Sequence, residues 1–165
     1  MAVRPIMTLG DAVLRQKAKR VSQVDGSIQR LVEDMIDTMR DAGGVGLAAP
    51  QVGVPLRVVV ISIPEGEVIT LINPEIVKRS GERRLTEGCL SVPGYWAEVT
   101  RSLSVTAKGR DLQGRQVRIK AEDDLLAQAL EHELDHIDGV LYIDHLENLD
   151  ELRKTAPEEE ESAEL

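Results

Sequence analysis

Near its C-terminal end the chain reads HELDH, which places His132, Glu133 and His136 within one short stretch. On a helix, residues four apart lie one turn above the other on a single face, so both imidazoles can reach one ion. The carboxylate beside the first histidine then stands next to that ion, where a general base is useful. A catalytic metal commonly takes three protein ligands and keeps one position for solvent. Two histidines leave the third ligand to be found.

Three candidates supply it. Gly139 continues the metzincin spacing, but the position of the final histidine holds Tyr142. Glu147 and Glu151 stand where a thermolysin-like site would draw a carboxylate from a later helix, although little chain follows them. Cys89, the sole cysteine, lies in EGCLSVPG, where Glu87, Gly88, Ser91, Pro93 and Gly94 read as a turn-rich segment, not a core strand. A thiolate with two imidazoles suits a divalent ion of intermediate softness. Against these stand blander readings: a lone cysteine is most often a small buried apolar residue. A closed structural metal site would require His145, the only other histidine, or a carboxylate.

These residues need a frame to position them. SIQRLVEDMIDTMRDAGG sets Ile28, Leu31, Val32, Met35, Ile36 and Met39 on one helical stripe, with Asp25 or Ser27 to cap it and Gly43 and Gly44 to end it. PLRVVVISIP and VITLINPEIVKRSG read as strands, the second interrupted at Asn73-Pro74. AEVTRSLSVTAKGRD and GRQVRIKA read as a hairpin turning between Leu112 and Gly114. A second helix follows, capped by Asp123 or Asp124 and closed by Gly139. The order implies an α+β fold with antiparallel or mixed sheets packed around the HELDH helix and an N-terminal amphipathic helix. On the second helix Leu126, Leu130, Leu134 and Ile137 share a core face, and Leu125, Ala129, His132 and His136 share an adjacent one. Asp124, Glu131, Asp135 and Asp138 fall opposite the core face and read as solvated surface, with Asp135 expected to pair with Arg101.

Composition sets the remaining bounds. A chain of 165 residues makes one domain, taken as 1–150, followed by an acidic stretch over 151–165 that reads as a disordered tail. A formal charge of −9 argues against direct nucleic-acid binding or an anionic membrane as partner. One cysteine permits no internal disulfide, and no signal-peptide core or membrane-length apolar run is present, so a cytoplasmic location is expected.

One further segment, GGVGLAAPQVG, has glycines that invite close backbone approach and a glutamine, Gln51, whose amide could serve an oxyanion. The segments GVGLAAPQ, EGCLS and HELDH, in this order and spacing, closely resemble the three motifs of peptide deformylases, and the likeness extends from LRQKAKRV to LYIDHL. The resemblance implies that Cys89, His132 and His136 bind the metal and that Glu133 is general base and then acid. It implies that Gln51 and the backbone N–H of Leu90 polarise the formyl oxygen, and that Gly46 lies against the substrate backbone. Val45, Leu125 and Ala129, with the His132 ring, would wall the methionine pocket. The implied activity is removal of the N-formyl group from the initiator methionine of nascent polypeptides, releasing formate. The implied cofactor is one divalent ion, Fe(II) foremost, which zinc, nickel or cobalt can replace. The implied partners are N-formylmethionyl nascent peptides, with transient association with the ribosome. Tyr95 and Trp96 stand where some members contact substrate with a basic residue, and Gln128 borders the ligand face where many are apolar. A small peptidase on the same ligand set is the competing enzymatic reading.

Overall fold

The structure is a computed structural model that describes residues 2–155. Two antiparallel sheets and two helices build it. The larger sheet runs in the order β1 (Gly46–Ala48), β2 (Val58–Ser62), β3 (Val68–Ser80), β6 (Ser104–Arg110) and β7 (Gln116–Glu122). The smaller contains β4 (Arg83–Cys89), β5 (Val92–Arg101) and the short β8 (Arg153–Lys154).

Helix α1 (Gly26–Asp41) starts at Asp25, whose carboxylate accepts the backbone N–H groups of Ser27 and Ile28. That cap satisfies two donors the first turn cannot satisfy internally. Its stripe of Ile28, Leu31, Val32, Met35 and Met39 is buried against Val58, Val60 and Ile72 of the large sheet. Helix α2 (Leu125–Ile137) starts at Asp124, whose side chain accepts from Ala127 N at 2.8 Å. It packs Ala127, Ala129, Leu130, Leu134 and Ile137 on Val59, Ile61 and Leu71. Successive residues of β2 therefore serve opposite helices, and the sheet is covered on both faces. This is why VVVIS is apolar without alternation. Near Asn73-Pro74 strand β3 shifts register instead of ending, and the Asn73 side chain bonds both the N–H and the carbonyl of Val21.

The hairpin of β6 and β7 forms as expected, but the run read as one strand over 97–111 does not stay in one sheet. It divides at Ser102-Leu103: β5 pairs with β4, and β6 crosses to β3. The EGC segment is also a strand end, not a free turn, since Cys89 closes β4 opposite Val92 after an irregular step from the Glu87–Ala97 pair. The small sheet and the chain after α2 make a third core from Cys89, Val92, Ala97, Val99, Leu141 and Tyr142. Of the stretch over 151–165, Glu151 ends a 3-10 turn that starts at Leu149, and Arg153 and Lys154 form β8, which pairs with Tyr95 and Trp96. Residues 156–165, and with them most of the expected tail, lie outside the described residues. Among the described residues no helix is long and apolar enough to cross a membrane.

Met35 has no solvent exposure and fills the layer between α1 and the sheet. Truncation there removes packing without touching the α2 side. Met35→Ala is expected to lower unfolding stability by about 2–5 kcal/mol while leaving metal uptake at one ion per chain, as read by denaturant titration and metal analysis.

Candidate metal centre

Helix α2 is buried nearly all round from Ala127 to Leu134, so its polar residues must find partners inside the protein. His132 and His136 point to one place, with their Nε2 atoms 3.2 Å apart. Cys89 Sγ, delivered by the end of β4, lies 3.3 Å from His136 Nε2. The three donor atoms all fall within 4.8 Å of one another, and all three residues are buried. A tetrahedral ion with bonds of about 2.3 Å to sulfur and 2.0–2.1 Å to nitrogen would span donor-to-donor edges of roughly 3.4–3.6 Å. The donors thus already stand near ligating separations, and the residues fit a divalent metal. His145 is not in this cluster; it lies against Asp135 instead. A closed four-ligand site through His145 is not formed.

The ligands are held from behind by a charge network. His132 Nδ1 donates to Glu87 Oε1. Arg101 donates through Nε to Glu87 Oε2 at 3.0 Å, through Nη2 to Oε1, and through Nη1 to Asp135 Oδ2 at 2.8 Å. Gln128 Nε2 donates to Glu87 Oε2 at 3.2 Å and to the Thr86 carbonyl at 3.1 Å. Burial opposes the Glu87 charge, but His132 and Arg101 outweigh it and hold its carboxyl well below the usual range. Burial likewise opposes charge on His132, yet Glu87 and Cys89 lift it well above an ordinary imidazole. His136 is driven the other way, first by burial and then by the charge on His132. The metal-free pair is therefore asymmetric: the surroundings favour the charged form of His132 and the neutral form of His136.

Glu133 is fully buried, and neither carboxylate oxygen has a hydrogen-bond partner among the described residues. Burial pushes its carboxyl up to about 7, and the neighbouring His132 charge offsets this only in part. It faces β1: a Cβ placed on Gly46 would stand 2.9 Å from Glu133 Cδ. Gln51 lies across the site. Its Oε1 accepts from Ala48 N at 2.9 Å, which fixes the amide orientation, and Nε2 donates to Ser91 Oγ at 3.0 Å and lies 3.8 Å from Cys89 Sγ. Leu90 follows Cys89 in the turn to β5. Val45 and Leu125 are half-buried, while Ala129 is enclosed in the α2 core.

Two assignments on α2 change. Glu131 is buried instead of solvated, accepting from Ser102 N at 2.6 Å and from Arg79 Nε at 3.1 Å. Asp135 pairs with Arg101 as expected, but with a buried guanidinium instead of a surface one. Glu87, which the sequence places in a turn-rich segment, accepts from His132, and Gln128, which borders the ligand face, donates to Glu87.

The family model for polypeptide deformylase matches residues 3–152. A peptide deformylase of Dehalococcoides mccartyi is 56% identical over 100% of this chain and 99% of its own length. One from Thermomicrobium roseum is 51% identical over 99% of this chain and 97% of its own. The crystal structure of a peptide deformylase from Legionella pneumophila superposes with a TM-score of 0.88 at 49% identity, covering 91% of this chain and 89% of that one.

Cys89→Ala leaves two imidazoles facing the place of an ion, without the thiol. The variant is expected to bind less than a tenth of the wild-type metal after anaerobic purification; full stoichiometry by elemental analysis would remove Cys89 from the ligand set. With a thiol and two imidazoles gathered at ligating separations, and with a family match and full-length relatives in agreement, the chain belongs to the polypeptide deformylase family.

Proposed function

We propose that Cys89, His132 and His136 hold the catalytic metal and that Glu133 moves the proton in hydrolysis of the formyl amide. As a member of its family the protein removes the N-formyl group from the initiator methionine of nascent peptides. The observation that carries the residue assignment is Glu133: a fully buried carboxylate without a hydrogen-bond partner, one residue from a ligand. Such a group is costly unless the site uses it. A divalent ion bound here supplies Lewis acidity, polarising the carbonyl and lowering the pKa of a water.

Each residue then has a defined task. Glu133, in its ionised form, accepts a proton from the attacking water and returns it to the departing amine nitrogen, leaving formate and a free N-terminus. The Gln51 amide is locked by Ala48 and directs Nε2 to the sulfur side of the site, where it donates to the oxygen that gains charge. The backbone N–H of Leu90 is the second donor. Gly46 belongs to β1, the edge strand of the large sheet, and an extended substrate can add to that edge. Val45, Leu125 and Ala129 face the methionine side chain, and Tyr95 and Trp96 bear on the residues that follow. Fe(II) is the ion we assign from membership of the family, with nickel, cobalt or zinc as replacements; a thiolate with two imidazoles accepts any of these divalent ions. Transient association with the ribosome in the cytoplasm follows from nascent chains as substrate.

Glu133→Gln keeps the volume but neither accepts nor returns a proton. With full metal occupancy verified, kcat for formate release from formyl-Met-Ala-Ser is expected to fall by roughly 10²–10⁴-fold; a loss under about tenfold (~1.4 kcal/mol in the barrier) places the proton transfer elsewhere. Release of Met from unformylated Met-Ala-Ser would instead favour a peptidase.

The wild-type rate should also fall on the acid side, because the base must be ionised; a bound dication lowers the Glu133 carboxyl from the value of about 7 it has in the metal-free protein, so the fall is expected below that pH. A carboxyl raised by folding makes the metal-free protein lose stability as pH rises from its unfolded value towards 7. The glutamine variant is therefore expected to melt higher than wild type above that pH when both are metal-free.

A further inference from the structure

The network behind the metal centre does not end at Asp135. His145 closes the 3-10 turn Tyr142–His145, and its Nε2 lies 2.8 Å from Asp135 Oδ2. Arg101 Nη1 reaches the same oxygen at 2.8 Å. The two nitrogens are 3.5 Å apart, as expected for two donors sharing one acceptor and not for a bond between them. Exposure falls steeply inward: the His145 side chain is 37% exposed, Asp135 22% and Arg101 3%. His145 also borders a cavity of about 580 Å³ that is lined by Arg79, Ser102, Glu131 and Arg101, so its ring is reached from solvent.

We propose that His145 is a positioning residue for the metal centre, acting on His132 through Asp135, Arg101 and Glu87. This inference rests on the ligand set assigned above. Asp135 is part-exposed, and among the described residues Arg101 and His145 are the side-chain donors to it. With His145 in place, Oδ2 is held between two donors and cannot turn to water. Arg101 keeps its Nη1 anchor, and its other nitrogens stay aligned on Glu87. Glu87 in turn fixes the Nδ1–H of His132, which leaves Nε2 directed at the ion. Without His145, Asp135 gains freedom to rotate outward. The slack passes along the chain of bonds to the His132 ring, and the ion is held less tightly.

The neighbouring groups do not substitute for it. Of the other donors that border the same cavity, Arg79 Nε and Ser102 Oγ are committed to Glu131. The effect is specific to the Nε2–H donor, not to the bulk of the ring.

The test measures release of metal from nickel-loaded protein into excess chelator. His145→Phe is expected to release the ion roughly 3–10-fold faster than wild type, less than the 10–100-fold typical of a direct outer-shell partner. His145→Gln, which retains an N–H donor, should recover most of the wild-type rate. Ile143→Ala, which loosens the same turn without touching Asp135, should leave the rate unchanged, and the melting temperature of metal-free His145→Phe should match wild type. Equal release from His145→Phe and wild type overturns the proposal. So does equal acceleration by Ile143→Ala, since His145 would then serve only the turn. Wild-type protein that holds no ion at all would overturn both this proposal and the ligand assignment beneath it.

Discussion

The site depends on one buried carboxylate. Glu87 stands between the guanidinium of Arg101 and the imidazole of His132, and through them it joins β4, β5 and α2. Removing these charges from water costs several kcal/mol per ion, and the network is tolerable because both Glu87 oxygens are bonded by more than one donor. Its contribution lies in alignment more than in stability. Cys89 is only two residues from Glu87 along the same strand, so the group that orients one ligand also fixes the strand that delivers another.

The layers explain why the site is enclosed. α2 is covered by the large sheet on one side and by the small sheet and following chain on the other, so its histidines and Glu133 are all enclosed. Enclosure raises the Glu133 carboxyl to about 7 in the metal-free protein, which suits the general-base role proposed for it. Gly46 completes the arrangement. The Glu133 carboxyl occupies the space a side chain on β1 would fill, so that carboxyl and the edge strand are immediate neighbours.

Much of this was legible in the sequence because it is periodic or local. The stripe of α1, the Asp25 and Asp124 caps, the β6–β7 turn and the i, i+4 histidines each follow from spacing within a few residues. The third ligand was different: residue chemistry alone left Cys89, Glu147 and Glu151 open, and only the combination of three motifs distinguished them. What escaped depended on partners distant in sequence. Glu131 looks solvated on a helical projection, but Ser102 and Arg79 from other elements cover it. Glu87 next to glycine looks like a turn until Arg101 and His132 are placed beside it. The division at Ser102 is similarly invisible, since both halves have strand character and only pairing assigns them to different sheets.

The most direct test of the central claim is X-ray absorption spectroscopy at the metal edge of protein purified without oxygen. One sulfur scatterer at about 2.3 Å and two imidazole nitrogens at about 2.0–2.1 Å are predicted, with a light-atom ligand completing the shell. A first shell without sulfur, or one with a third imidazole, would contradict the assignment of Cys89, His132 and His136 as the metal centre.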